Sequence, residues 1–576
     1  MLINFHFLPG EDIIWVSSMS QKGIFDNIES CDISEFIDFD LLLNDNICNF
    51  SAVKFFADEE VIIAKRDFFG TIPLFFKVEE GSCYTFSDSL SGLLDVRDIQ
   101  VNEERIHYYL NSDDLDKLQK THLTFFEDIY QVPAGCIARI SASCVEISSL
   151  NYLRTLAKKK GLVDIIKAKL SDVINQDSHV SYNVSGGIDS TGLASIHEHY
   201  LSTVIEAKFC ALETGFESCN EKVYQKSFET KYDKEISFFE INSAIKQVTE
   251  NYVNYSLHPP LLYSLVSVFD GILEGLKAQN VENLIMGHGG DSVLGHGYEY
   301  IAVLKRERNY VGLKKFIEKI TEGGLLKSKF PDWDSFTRSK KRSISLLFFV
   351  FPHTKENLKY FPTFLGSYVK CGGSLIFFFF HVFKSLRSKF ELNTKLFKIN
   401  SIVKNNHLFK INYQPSRYPS VQNWVTSCTM EVFYNLSMLY NMRFVFPFFS
   451  TELLSISLLY SNEQKFGNGI GRAHFRRELA GILPQKVRNR IGKTSFDELF
   501  VSEIRNYINQ VGDISSAHRL WKYVDADAYQ RIVEIILDDE ITYHRKVSLA
   551  HLIHRTLNIK IWLDCILKFE NYENTK

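Results

Sequence analysis

The stretch Val184-Ser185-Gly186-Gly187-Ile188-Asp189-Ser190 follows a short apolar run at residues 179–184 and precedes a helix-compatible segment. Two adjacent glycines let the chain turn tightly enough for successive N–H groups to face one anion, and the helix behind adds the positive end of its dipole. The backbone of Val184, Gly186 and Gly187 and the hydroxyls of Ser185 and Ser190 therefore read as a phosphate cradle. Asp189 would repel a phosphate, so its place is explained by a hard Mg²⁺ that bridges phosphate oxygens. The plainer alternative is a Ser/Gly turn with a helix-capping Asp; the strand–loop–helix setting favours the cradle.

Roughly one hundred residues on, positions 286–295 read MGHGGDSVLG, again after an apolar run at 283–286. Gly287 and Gly289 permit close backbone approach, and Asp291 offers a second carboxylate for Mg²⁺. A third block, RAHFRRELAGILPQKVRNRIGKTSF at 472–496, is rich in cations. A solvated helix face accounts for Arg476, Arg477 and Arg488.

Around these blocks the chain alternates strand and helix. Residues 161–174 place Leu162, Val163, Ile165, Ile166, Leu170, Val173 and Ile174 on one helical stripe, and a further strand-like run lies at 207–212. This pattern predicts an α/β fold with an open parallel sheet and its chemistry at the carboxyl ends of the strands. Residues 1 to about 150 differ: short apolar runs at 53–56, 61–64, 73–76 and 136–140, broken by Gly, Pro, Asp and Asn, suit an antiparallel β-rich domain. The expected division is 1–155 and 160–576, the second part carrying an insertion at about 300–430. Within it, residues 301–400 hold 20 Lys and Arg against seven Asp and Glu, together with 15 Phe. That local excess of 13 positive charges leaves the rest of the chain at −17.

With 576 residues, two or more domains are expected. A net charge of −4 argues against a chain that coats nucleic acid. The ten cysteines form no CxxC pair and read as buried thiols in a reducing compartment. The N-terminus lacks a basic start and a small-residue cleavage site, and the apolar runs at 346–351 and 375–380 fall short of the ~20 residues a membrane helix needs. A cytoplasmic enzyme is the expectation. His197 and His199 are two apart on a predicted helix and point to different faces, so they do not make a metal site.

The S-G-G-x-D-S string is similar to the pyrophosphate loop of the N-type ATP pyrophosphatases, and residues 286–295 resemble the S-G-E-G-A-D-E block of asparagine synthetases. The LP-x-x-V-x-x-R run with Lys493 and Phe496 resembles that superfamily's C-terminal signature, with one residue more between Arg490 and the lysine. Residues 65–76, KRDFFGTIPLFF, and 126–135, FEDIYQVPAG, are similar to segments of its glutamine amidotransferase domain. The resemblance implies an Ntn-type β-sandwich followed by an adenine-nucleotide-hydrolase-like α/β domain. It further implies ATP and Mg²⁺ held at Asp189 and Asp291, and Lys493 acting on the α-phosphate and pyrophosphate.

Three departures narrow that resemblance. Leu2, not a cysteine, follows Met1, so release of ammonia from glutamine is expected to be absent. His288 stands where the synthetases carry Glu. No counterpart of their acid/base Glu precedes Pro447-Phe448, and Glu431 is the nearest substitute. G-H-G-G-D with a silent glutaminase domain and an intact ATP loop resembles the lasso-peptide cyclases (macrolactam synthetases). That resemblance implies a precursor peptide as substrate, whose Asp or Glu side chain is adenylated and attacked by its own N-terminal amine, with a leader-peptide protease as partner. His288 would then be a base for that amine or a holder of its loop. Ammonia-dependent asparagine synthesis and β-lactam synthesis are the alternatives. The basic, Phe-rich window is open to three readings: a peptide or protein surface, a solvated helical face over its own core, or shallow contact with an anionic membrane.

Overall fold

A computed structural model describes residues 2–5, 13–18, 26–27, 50–56, 59–79, 83–94, 99–111, 120–141, 144–149, 160–174, 179–260, 266–323, 326, 330–350, 361–379, 396–398, 409–412, 418, 420–466, 470–492 and 494–572. Lys493 and the side chains of Val173 and Ile174 lie outside this set.

The first 150 residues build two sheets. One orders β1 (Leu2–Phe5), β7 (Cys83–Ser87), β6 (Phe75–Glu79) and β8 (Ile129–Gln131). The other orders β15 (Phe409–Asn412), β10 (Cys144–Ser149), β9 (Cys136–Ser141), β5 (Val61–Arg66), β4 (Phe50–Phe56), β2 (Ile13–Ser18) and β3 (Asp26–Asn27). Inward residues of both, among them Val53, Ile62, Phe76, Phe86 and Ile140, share one core. β4 and β5 are buried along nearly their whole length, which their near-continuous apolar runs allow. Three of the four apolar runs read from the sequence lie wholly on strands; of 73–76 only Phe75 and Phe76 do, since Pro73, which lacks an N–H for the ladder, and Leu74 precede β6. Every pairing is antiparallel except that of β15, which arrives from the distant 409–412 segment and adds in parallel to β10.

The third sheet is wholly parallel, in the order β13 (Ser237–Glu240), β12 (Lys208–Glu213), β11 (Val180–Asn183), β14 (Asn283–Ile285) and β16 (Arg443–Val445). Tyr182 on β11 pairs with Phe209 on one side and Ile285 on the other. The chain runs outward from β11 to β13, then crosses back to place β14 against β11. The loops that leave β11 and β14 are therefore neighbours at the carboxyl edge, the switch point where a parallel sheet binds ligands. Helices Leu162–Ile174 and Ile188–Tyr200 bury Leu162, Ile166, Leu170, Leu193 and Ile196 against this sheet's core.

The helices at 299–370 carry separate small cores, one around Ile317, Leu346 and Phe378 and one around Trp333. Among its described residues the basic window thus packs helices over small apolar cores of its own. Six of the described cysteines are buried and Cys144 is partly so, all as free thiols. Among the described residues no helix is long and apolar enough to cross a membrane.

Candidate active site

A cavity of about 930 Å³ opens at the carboxyl edge between β11 and β14. Ser185, Gly187, Asp189 and Ser190 form one rim; Gly287, His288, Gly289 and Asp291 form the facing one. Of the sequence-predicted cradle, Val184 and Gly186 do not line it. The Val184 side chain is fully buried beneath the loop, its N–H tied to the Cys210 carbonyl at 2.7 Å. Gly186 takes the positive φ of the turn (76°), and its carbonyl accepts from Arg490 at 2.9 Å. Asn183, which sequence reasoning passed over, lines the wall instead.

The two loops touch so closely that side chains are excluded between them. A Cβ on Gly287 would stand 2.5 Å from the Ser190 backbone nitrogen, and one on Gly290 would stand 2.5 Å from the Asp189 carboxyl carbon. Glycine at these positions is thus what allows the two acidic residues to converge. Within the first loop the Ser185 and Ser190 hydroxyls lie 2.6 Å apart, and the Ser185 N–H donates to Ser190 Oγ at 3.2 Å. Both hydroxyls are therefore already gathered at the N-terminus of the helix Ile188–Tyr200, whose first turn holds Ser190 and Asp189.

Asp189 and Asp291 meet on one cation, the guanidinium of Arg472, which pairs with Asp189 and lies 2.9 Å from Asp291 Oδ1. Arg472 is buried and takes a left-handed backbone conformation at φ 59°, which aims it inward from the start of the helix Ala473–Glu478. Burial disfavours its charge, but the two carboxylates more than offset this and hold its pKa above the usual arginine value. His296 reaches the same Asp291 oxygen at 3.2 Å and stacks on Tyr298. Two carboxylate oxygens from separate loops converging on one positive group is a donor set that fits Mg²⁺, which takes one or two carboxylates and fills its remaining positions with phosphate and water. Among the described residues no cluster of three or more His, Cys, Asp and Glu offers a closed metal cage.

The third block is only partly the solvated face expected of it. Arg476 is not a solvated arginine: it lines the cavity, donates to the Gly471 carbonyl at 3.0 Å, and burial together with the charge of Arg472 lowers its pKa to about 10. Arg477 is exposed, as expected, and Arg488 is partly buried. Arg490 braces the first loop from below. Besides Gly186 it holds Glu221 at 2.6 Å and Thr494 at 2.7 Å, and lies flat over Tyr224 at 4.2 Å. Lys493, assigned to the α-phosphate, lies outside the described residues, but its neighbours Gly492 and Thr494 both line the cavity.

Glu431 is no substitute acid/base. It is buried at the junction with the first 150 residues, 3.3 Å from Arg66, and takes no part in the cavity wall. His288 does lie in the wall, edge-on to Phe433 at 4.8 Å and to Phe446 at 6.2 Å. His197, as expected, is no metal ligand: it is buried against Tyr182 and the Ile205 carbonyl, and burial lowers its pKa to about 4. One further part of the wall is apolar, with Val268, Phe269 and Ile272 from the helix Val266–Ala278 and Leu326 and Phe348 from the basic window, while Glu213, Glu221, Lys222 and Glu503 make another part charged.

Arg472 and His296 carried no signal that the sequence alone makes legible. Each sits beside a glycine in a basic or His-rich stretch, and only the folded turn brings it to the carboxylates.

The model for the family described as Asparagine synthase matches residues 164–564, which takes in every cavity residue named above. No curated protein matches the chain.

Proposed function

From the chain's membership of the asparagine synthase family, which makes it an ATP-dependent amide-bond-forming ligase, we propose that it forms AMP and closes a macrolactam in a ribosomal precursor peptide. In fold terms the proposal takes the parallel-sheet part as adenine-nucleotide-hydrolase-like and the two-sheet part as an inactive Ntn-type sandwich, with the boundary at about 155–160.

One observation carries the ATP half: two glycine loops packed backbone to backbone, with Asp189 and Asp291 converging on a single cation in a cavity wall. In the proposed reaction the first loop's N–H groups and the Ser185 and Ser190 hydroxyls hold pyrophosphate oxygens. Asp189 and Asp291 hold Mg²⁺, which when bound neutralises phosphate charge. A peptide carboxylate oxygen attacks the α-phosphorus, the bond to the β-phosphate bridge breaks, and pyrophosphate leaves against Lys493, Arg472 and Arg476. The peptide amine then attacks the acyl carbon and AMP departs with the carboxylate's oxygen. His288, on the wall beside Phe433, is assigned the proton the amine gives up. A closed site excludes water from the acyl adenylate.

The acceptor half is supported by part of the lining: beside the two phosphate loops the cavity includes the apolar side chains of Phe269, Leu326 and Phe348. Such a surface favours an acceptor that carries an apolar chain over ammonia. A synthetic peptide matching a short reading frame beside this gene, incubated with ATP and Mg²⁺, should give AMP and a peptide lighter by one water. AMP formed with aspartate and ammonia instead assigns the chain to small-molecule amide synthesis.

A further inference from the structure

The basic, Phe-rich window contributes Leu326 and Phe348 to the cavity, but its outer side is unexplained by the ATP chemistry. Two helical segments there hold large apolar residues in solvent: Val369 on Phe361–Lys370 is 43% exposed, and on 375–379 Leu375 is 44%, Phe379 44% and Ile376 86% exposed. Val311 is 69% exposed at the start of the neighbouring helix Tyr310–Gly323. These positions belong to one rigid mount. Tyr310 hydrogen-bonds Ser367 at 3.2 Å, the Ser374 N–H donates to Ser343 Oγ at 3.0 Å, and Phe378 is buried against Tyr368. Neither described cavity is lined by any of the five, so they face outward instead of walling a cleft.

The charges on this part of the window are mostly positive. Lys370 lies over the Tyr310 ring at 5.5 Å, and exposed Lys314 and Lys315 follow Val311 about one turn on. The two acids of that helix, Glu318 and Glu322, are engaged by Arg342 at 2.8 Å and Arg338 at 2.7 Å, which leaves the lysines in excess. Exposed aliphatic and aromatic tips together with lysines are the composition that enters the headgroup layer of an anionic bilayer, apolar tips among the acyl chains and ammonium groups on the phosphates. We propose that this face, centred on Ile376, docks the enzyme on an anionic lipid surface. The excess of positive charge selects lipid over an apolar protein partner, and the tips insert without any groove. The proposal is independent of which amide the enzyme makes.

The test is co-sedimentation of the full chain with vesicles of phosphatidylcholine alone or with phosphatidylglycerol at about a third of the lipid. Binding is expected only to the anionic vesicles and is expected to weaken by about tenfold or more at ~0.5 M salt. I376D/F379D should abolish it and K314E/K315E/K370E should reduce it several-fold, with ATP–pyrophosphate exchange intact in both as proof of folding. Equal binding by wild type and I376D/F379D, no preference for anionic lipid, or no binding at all each overturns the proposal. So does a dimer in light scattering that I376D/F379D dissolves, which would give the face to a second copy of the chain.

Discussion

Two Asp-containing turns, each with a glycine two or three residues from the acid, do opposite jobs in this molecule. At Asp67 the carboxylate is consumed by its own turn: Oδ1 accepts from the N–H groups of Phe69 at 2.9 Å and Gly70 at 3.0 Å, and Oδ2 from the N–H and hydroxyl of Thr71, both at 2.8 Å. Arg66 completes the closure through the carbonyls of Gly70 and Val132 and through Glu431. At Asp189 the loop's hydroxyls and N–H groups rim a cavity, and the carboxylate faces an arginine that bridges to a second acid. An acid whose acceptor sites are spent on its own backbone is structural. An acid whose partner is a cation in a cavity wall is available for exchange.

The largest difference should appear on removing each acid. Asp189→Asn is expected to lower ATP–pyrophosphate exchange by about a thousandfold or more while the melting temperature stays close to wild type. Asp67→Ala, which strands four donors in a buried turn, is expected to cost about 3 kcal/mol or more of stability in urea unfolding. An unchanged exchange rate in the first or an unchanged midpoint in the second erases the contrast between the turns.

Arg472 sharpens it at a smaller scale. With Gln there, Asp189 and Asp291 lose their shared positive partner, and nucleotide-free protein should bind Mn²⁺ about tenfold more tightly by calorimetry. Unaltered affinity would mean that the guanidinium does not compete for the metal's position.

The smallest effect concerns the histidines outside the site. Burial holds His122, His258 and His554 neutral, each with a pKa lowered to about 3, and His197 to about 4. An unfolded chain protonates these rings near pH 6.5, so it binds protons the folded chain refuses. Their contribution is complete above about pH 6.5 and is lost as pH falls toward 3–4, at up to ~1.4 kcal/mol per pH unit for each ring. Thermal melts between pH 7 and 4 should show this slope, and His258→Phe, which sits between Phe75 and Phe125, should flatten it.

Much of this was legible beforehand because it rests on local chemistry. Residues 180–183, 208–213 and 283–285 are short apolar runs before turn residues, and each became a strand of the parallel sheet. Gly287 and Gly289 forecast a close approach; the structure places it at Gly287 and at Gly290, which the sequence reading did not single out. What was hidden depends on long-range geometry. β15 joins the second sheet from 260 residues away, a pairing that no periodicity encodes. Arg476 looked like a solvated face because its run is basic, yet the turn at Arg472 rotates it inward. Glu431 looked free for catalysis because only the fold reveals that Arg66 holds it.

The central claim is that these loops activate a carboxylate through its adenylate. The most direct measurement labels the peptide's side-chain carboxyl with heavy oxygen and follows the label by mass spectrometry after turnover with ATP and Mg²⁺. One labelled oxygen in AMP, with unlabelled pyrophosphate, is the expected result. Label in inorganic phosphate, with ADP as the nucleotide product, would contradict it.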